Sequence, residues 1–210
     1  MFRRTRFSLI ALIGLSFSVA AQPDFLDGCY AYKRGDFKEA QQHWNELAEN
    51  GDSVAQYNND VMYDEGTGVV QDSAKVINWW RKAAAQDHVL AQHNLALLYI
   101  ERGGEEDLRQ AVRWLKRAVT KGFALSQYSL AKLYATGPGI KKDKVRALAL
   151  YLEAGEAGFV KAQYNLGKLY RDGIGTDADP IAAADWFMRA AVQGYAKAQG
   201  DTHPKQPRIR

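Results

Sequence analysis

The side chains with the widest chemical range in this sequence of 210 residues are one cysteine and four histidines. They are Cys29, His43, His88, His93 and His203. A zinc site needs three or four convergent ligands, but the chain has no H-E-x-x-H motif and no cysteine pair. His88 and His93 are five residues apart, and no carboxylate lies between them. The pattern therefore predicts neither a metal site nor a cofactor.

Cys29 is the only thiol in the sequence, so an internal disulfide cannot form. It could act as a nucleophile with a histidine as its base, but it lies in no recognised catalytic motif. The alternative, which we favour, is a small packing residue in the first helix hairpin. The sequence thus predicts no catalytic residue, and we expect a protein that is not an enzyme.

Four glycine-rich segments, EGTG, ERGG, TGPG and DGIG, are further candidates for chemistry, because glycine loops can bind phosphate. None of them fits the Walker or dinucleotide-binding pattern, and none follows a predicted strand. Glycines at this density interrupt helices. We therefore interpret the four segments as the turns of helix hairpins.

The N-terminal residues predict export. Three arginines precede an uncharged apolar run over residues 7–19, and small residues follow it. This pattern indicates a signal peptide that is cleaved after Ala20 or Ala21. A retained anchor is the alternative, but it would need about 20 apolar residues. A lipidation box ending at Cys29 is rejected because Asp27 fits it poorly. We expect a periplasmic or secreted protein with no membrane contact after cleavage.

The charge balance excludes one class of partner. The chain has a net charge of +4, but its first 21 residues and its last ten supply the excess, and residues 22–200 carry −1. Nucleic-acid binding calls for a clustered basic face. No nucleic-acid partner is predicted.

A repeat of 35 or 36 residues organises the rest of the chain. An Ala-Gln or Ser-Gln pair recurs with its glutamine at Gln56, Gln92, Gln127, Gln163 and Gln199. A tyrosine follows seven residues later, at Tyr63, Tyr99, Tyr134 and Tyr170. A second segment starts at Val76, Ala111, Ala147 and Ala183, with large apolar residues at offsets three and four and alanine at offset seven. These offsets lie on one helical face, so each copy predicts two helices that bury one face each.

The pattern A-Q-Y-N-L-G-x-L-Y-x-x-G-x-G, followed by D-x-x-x-A-x-x-W-x-x-x-A-A-x-x-G, resembles the Sel-1-like repeat, a relative of the tetratricopeptide repeat. The resemblance implies an all-α, right-handed solenoid of antiparallel helix hairpins. It divides the chain into a signal peptide (1–21), a tetratricopeptide-like hairpin (22–53), four repeats with the start of a truncated fifth (54–199), and a polar tail (200–210). The four repeats span residues 54–89, 90–124, 125–160 and 161–196.

Two departures from the repeat pattern stand out. The first copy has Asn59 and Asp60 where the others have leucine followed by alanine or glycine. Buried polar groups are costly, so we favour a destabilised repeat over the alternative of a polar functional site. The fifth copy stops after Gln199, and a solenoid needs a polar cap at its end. The last hairpin is therefore either a surface for self-association or the result of a shortened chain.

The resemblance also indicates a binding surface. In tetratricopeptide hairpins the residue after the glutamine points into the concave groove. Here that column is Tyr57, His93, Tyr128 and Tyr164, and the next turns add Lys132, Lys168 and Arg171. Tyrosine and arginine are enriched at binding hot spots. The alternative, which the sequence leaves open, is that these tyrosines pack between repeats. The tyrosine column seven residues after the glutamine is assigned to the core.

Members of such repeat families usually serve as adaptors or as secreted factors that contact other proteins. The sequence therefore predicts a secreted scaffold whose protein partner is unidentified. A binder of envelope glycan or peptidoglycan, with the tyrosines as a stacking platform, is the alternative. A hydrolase of the cysteine-rich repeat type is a third possibility. Those relatives carry a disulfide in each repeat, which this chain lacks.

Overall fold

The computed structural model of the protein describes residues 23–70 and 73–199. These residues form helices and turns, without a strand. The helices are α1 (Pro23–Arg34), α2 (Phe37–Glu49), α3 (Ser53–Glu65), α4 (Ser73–Ala85), α5 (Val89–Arg102), α6 (Glu105–Val119), α7 (Ala124–Thr136), α8 (Lys144–Glu156), α9 (Val160–Asp172), α10 (Pro180–Val192) and the short α11 (Ala196–Gln199).

Three features predicted from the sequence lie outside the described residues: the signal peptide, the polar tail and His203. Within the described ranges, the helices are all too short or too polar to cross a membrane.

The chain consists of two compact units, and the boundary between them lies within α5. The N-terminal unit ends at Leu98 and the C-terminal unit begins at Tyr99. In the N-terminal unit α1, α2, α3 and α4 pack in sequence, each on the next. In the C-terminal unit the same holds from α6 to α11. Each unit is a stack of helix hairpins, so the predicted fold class, an all-α helical-repeat solenoid, is confirmed.

The second helix of each copy buries the face that its spacing predicts. The large apolar residue at offset four is at most 5% exposed in these helices: Trp80, Leu115, Tyr151 and Phe187. The alanines at offset seven are completely buried: Ala83, Ala118, Ala154 and Ala190. Small residues on one helix let the neighbouring helix approach closely, and the large residues fill the space between them. The core therefore follows the repeat.

The recurring glutamine links each copy to the helix before it. The side-chain amide of Gln56 donates to the Ala48 carbonyl over 3.0 Å, and that of Gln163 donates to the Gly155 carbonyl over 3.0 Å. Gln92 bonds to the Ala84 carbonyl in the same way, over 3.1 Å. The last carbonyls of a helix have no partner within that helix. Here a backbone N–H of the following turn supplies one donor, and the buried amide from the next copy supplies another.

The glycine-rich segments are hairpin turns, as predicted. Gly139 and Gly175 have φ angles of 69° and 82°. A Cβ atom on Gly139 would lie 2.6 Å from the Leu108 backbone, and one on Gly175 would lie 2.5 Å from the Lys144 carbonyl oxygen. Both glycines thus contact the start of the second helix in the preceding copy. No larger side chain fits there without a backbone shift, so these turns also set the spacing between copies.

Gln163→Leu is expected to destabilise the protein by about 0.5–1.5 kcal/mol, because the buried Gly155 carbonyl loses its side-chain donor and keeps the backbone N–H of Gly158. Urea denaturation measures this change. The matched control is Gln127→Leu, since the Gln127 amide instead donates to the exposed Glu153 carboxylate over 2.8 Å. We expect a smaller loss from this control. Equal losses from the two variants would show that the carbonyl bond contributes nothing of its own.

Candidate functional site

The aromatic column of the N-terminal unit is buried, which corrects part of the predicted binding surface. Tyr57 is 0% exposed and His93 is 2% exposed. The Tyr57 ring lies 4.8 Å from the His88 ring, measured between centroids. Its hydroxyl accepts a hydrogen bond of 3.3 Å from the Asn94 amide. Tyr57 and His93 therefore pack between helices and present no surface to a partner.

In the C-terminal unit the corresponding tyrosines are half-buried between copies. The Tyr128 ring meets Phe159 edge-on at 5.0 Å and Tyr151 at 5.7 Å. The Tyr164 ring lies 5.2 Å from Tyr195. Desolvation raises the pKa of Tyr128. Of the two alternatives that the sequence leaves open, these contacts favour packing between repeats.

A second aromatic column explains this packing and was missed in the sequence. An aromatic residue follows each hairpin-closing position at His88, Phe123, Phe159 and Tyr195. Three of these rings contact the tyrosine that lies 31 residues earlier, namely Tyr57, Tyr128 and Tyr164. The recurrence of both columns at one fixed separation was the available signal. It would have predicted aromatic pairs rather than a groove lined by free rings.

The cationic members of the predicted surface are exposed. Lys132 lies on α7, and Lys168 and Arg171 lie on α9. Arg171 forms an ion pair of 2.7 Å with Asp172, and this hydrogen bond lowers the pKa of the Asp172 carboxyl. Neither lysine forms an ion pair with any residue that the structure describes. The exposed part of the candidate site is thus a set of cations on the first helices.

A hydrogen bond between α7 and α9 fixes the position of these lysines. The Asn165 side chain bonds to the Tyr128 hydroxyl. Lys132 follows Tyr128 by four residues, and Lys168 follows Asn165 by three. Each lysine therefore lies about one turn beyond the same contact. The two lysines therefore occupy equivalent positions on neighbouring first helices.

The polar residues of the first full copy lie in the core, as the sequence predicts. Asn58, Asn59 and Asp60 are all 0% exposed. The Asn59 amide donates to the Asn45 side-chain oxygen over 2.8 Å. Among the described residues, the Asn58 amide has no hydrogen-bond partner. These residues form a buried polar layer in the N-terminal unit.

The position that corresponds to Asp60 is closely packed in the fourth copy. At the matching site on α9, a Cβ atom on Gly167 would lie 2.5 Å from the Phe187 ring. The residue that matches Phe187 in the first copy is Trp80. A carboxylate at this place combines a steric cost with a desolvation cost.

The chemically versatile side chains are dispersed and desolvated. Cys29 is buried in a cluster with Phe25 and Trp44, and burial raises the pKa of its thiol. Burial also lowers the pKa values of His88 and His93 to about 4. In the described part of the chain, no three potential metal ligands lie close enough together to hold an ion.

The chain belongs to the Sel1 repeat family. The family model matches residues 54–88, 89–123, 124–159 and 160–195. These four segments follow the periodicity of the glutamines and of the hairpin turns. No match was found among curated proteins.

Solved structures with this fold come from several bacteria. A Sel1 repeat protein from Oxalobacter formigenes is 30% identical, with a TM-score of 0.76 over 85% of this chain and 73% of its own. The protein c5321, a protective antigen present in uropathogenic Escherichia coli strains, is 31% identical, with a TM-score of 0.77. This match covers 85% of the present chain but only 39% of c5321. The Helicobacter pylori cysteine rich protein B is 21% identical, with a TM-score of 0.50 over 64% of this chain and 98% of its own, and it shares the fold alone.

Asn59→Leu together with Asp60→Ala is expected to stabilise the N-terminal unit, because it reproduces the Leu95–Ala96 pair of the next copy. Burial of a leucine side chain contributes about 1.5–3 kcal/mol, and a buried carboxylate is removed. The melting temperature should rise, and hydrogen exchange should slow across residues 54–85. The reciprocal control, Leu95→Asn with Ala96→Asp, should lower the melting temperature. An unchanged melting temperature in the first variant would indicate that the polar layer is well satisfied and serves a function.

Acidification is expected to destabilise the N-terminal unit. The pKa of His93 falls from its ordinary value of 6.5 to about 4 on folding. The unfolded chain therefore takes up a proton first as the pH falls, and stability is lost between pH 6.5 and about 4. His93→Tyr, the residue of the sister copies, should reduce the difference in melting temperature between pH 7 and pH 5. The quantity to compare between the variant and the original protein is this difference between the two pH values, and not the melting temperature at either pH. An undiminished pH difference would show that His93 is not one of the responsible groups.

Proposed function

We propose that this protein is an exported scaffold that binds other proteins through the exposed face of its first helices. In the C-terminal unit this first-helix face is formed by Lys132, Lys168 and Arg171. The observation that carries the proposal is the exposed pair of lysines without ion-pair partners among the described residues. The basic, apolar leader of the sequence supports a periplasmic or secreted location.

The chemistry of the buried groups argues against an enzyme. A nucleophilic cysteine needs a lowered pKa, whereas burial raises the pKa of the Cys29 thiol. A general base works best with a pKa near the operating pH, whereas those of His88 and His93 are about 4. We therefore propose a role in binding rather than catalysis. The likeness to the cysteine rich protein B concerns the fold only and supports no hydrolase activity.

A protein partner is favoured over a glycan by the tyrosine packing. A stacking platform for sugar rings needs free aromatic faces. Tyr128 lies against Phe159 and Tyr151, and Tyr164 lies against Tyr195 and Phe187. The exposed side chains of the first-helix face are charged instead. Charged groups give specificity and faster association between proteins.

A second proposal is self-association through exposed apolar residues of α10. On α10, Ile181 is 84% exposed, Met188 is 58% exposed and Val192 is 82% exposed. Their spacing of seven and four residues keeps them on one helical face. Static light scattering at rising protein concentration tests this proposal, and a strict monomer would contradict it.

Site-specific photo-cross-linking tests the scaffold role. A photoreactive residue at position 132 or 168 is expected to capture proteins from envelope extract, because both positions lie on the first-helix face. Matched probes at the exposed Lys116 and Lys121, in the same unit, should capture few. Capture of glycan alone would favour the glycan-binding alternative. Equal capture from all four positions would contradict a binding role for the first-helix face.

A further inference from the structure

We propose that the first-helix face of the C-terminal unit binds an acidic, extended polypeptide segment whose carboxylates engage Lys132 and Lys168. This inference rests on the proposed function and adds the chemistry of the partner.

Charge is segregated between the two kinds of helix in the C-terminal unit. The first helices α7, α9 and α11 carry Lys132, Lys161, Lys168, Arg171 and Lys197 against a single carboxylate, Asp172. The second helices α8 and α10 each carry as many acidic as basic residues. The remaining second helix, α6, has four basic residues against three acidic ones, so most of the net positive charge on the helices of this unit lies on the first helices.

The cations of the two layers also differ in their partners. Three arginines of the second helices form ion pairs within a few residues of their own sequence. Arg109 pairs with Glu105 and Glu106, Arg146 pairs with Asp143, and Arg189 pairs with Asp185. Lys132 and Lys168 have no such ion pair among the described residues, although the charge of Lys168 acts on Asp172 one turn later and helps to lower the pKa of that carboxyl. Their charge is therefore available to a carboxylate from outside the chain.

The spacing of the two lysines suits an extended peptide. The Tyr128 ring on α7 lies 5.0 Å from the ring of Phe159, which directly precedes α9, and Asn165 on α9 bonds to the Tyr128 hydroxyl, so the two first helices are neighbours. Side chains on one side of an extended strand recur every second residue, at about 6.6–7 Å. The flexible lysine side chains on the two neighbouring helices can adjust to this spacing of the carboxylates. A segment with acidic residues at alternate positions can place two carboxylates on Lys132 and Lys168 together.

The limited size of this positive surface favours a peptide over a polyanion. A long polyanion binds by contact with many cations along a basic face. Here residues 22–200 carry a net charge of −1, and Arg171 is held by Asp172. A short acidic segment needs only a few contacts, so it matches two lysines better than a charged polymer does.

Fluorescence anisotropy with the labelled peptide ETETETETET tests this inference on the full chain. The peptide should bind, and QTQTQTQTQT should not. Lys132→Gln with Lys168→Gln should weaken binding about tenfold at low salt, equivalent to about 1.4 kcal/mol for two exposed charge pairs. The matched control removes the same charge as Lys116→Gln with Lys121→Gln and should weaken binding less than about twofold. Unchanged melting curves would show that both variants are folded.

Three results would overturn the inference: no binding of the acidic peptide, equal losses in the two double variants, or tighter binding of heparin with the same dependence on Lys132 and Lys168. None of these bears on whether proteins cross-link at positions 132 and 168. If cross-linked proteins are found while the acidic peptide fails to bind, the scaffold role stands and only the acidic partner is wrong.

Discussion

The buried bond from a glutamine amide to a helix-terminal carbonyl is the interaction on which the repeats depend. A helix that ends inside the protein leaves carbonyls without donors, and water cannot reach them. Gln56, Gln92 and Gln163 each add a side-chain donor to one such carbonyl in the helix before them, beside a backbone N–H of the following turn. Two of these amides also accept a hydrogen bond from the end of the second helix of their own copy, since Gln86 donates to Gln56 over 3.0 Å and Gln193 donates to Gln163 over 2.8 Å. The same side chain therefore joins three successive helices and sets their register.

The second constraint is the close approach of helices, which leaves little freedom in the core. Glycine or alanine on one helix faces a large apolar residue on the next, as at Gly167 and Phe187. The Asn59–Asp60 pair breaks this rule in a single copy. In a stack where each repeat contacts only its neighbours, such a cost stays local. The N-terminal unit therefore combines the buried polar layer with the two desolvated histidines, and its stability should respond most to repacking and to acid.

These constraints also decide which residues remain for function. The tyrosines after each glutamine are used in aromatic pairs between copies, so they cannot serve as a free binding platform. On α9, Arg171 pairs with Asp172 and lies over the Phe187 ring, whereas no such contact involves Lys132 or Lys168 among the described residues. Lys132 and Lys168 contribute to no contact that the repeat requires, and this is why we assign recognition to them. A surface that recognises by charge can vary without cost to the core.

Much of this architecture could be predicted from the sequence, because the repeat imposes one pattern many times. The glutamine spacing, the offsets of three, four and seven and the turn glycines determined the helices, the hairpins, the buried faces and the family. The sequence did not determine which side of each first helix is exposed. Tyr57 and Tyr128 share one column, yet Tyr57 is buried and Tyr128 is half-buried, since exposure depends on the aromatic residue that arrives from the next hairpin. Only the tertiary structure brings Tyr128 and Asn165 together, 37 positions apart in the sequence, and thereby makes neighbours of Lys132 and Lys168. A contact between copies depends on the packing of two helices, and no periodicity within one helix contains that information.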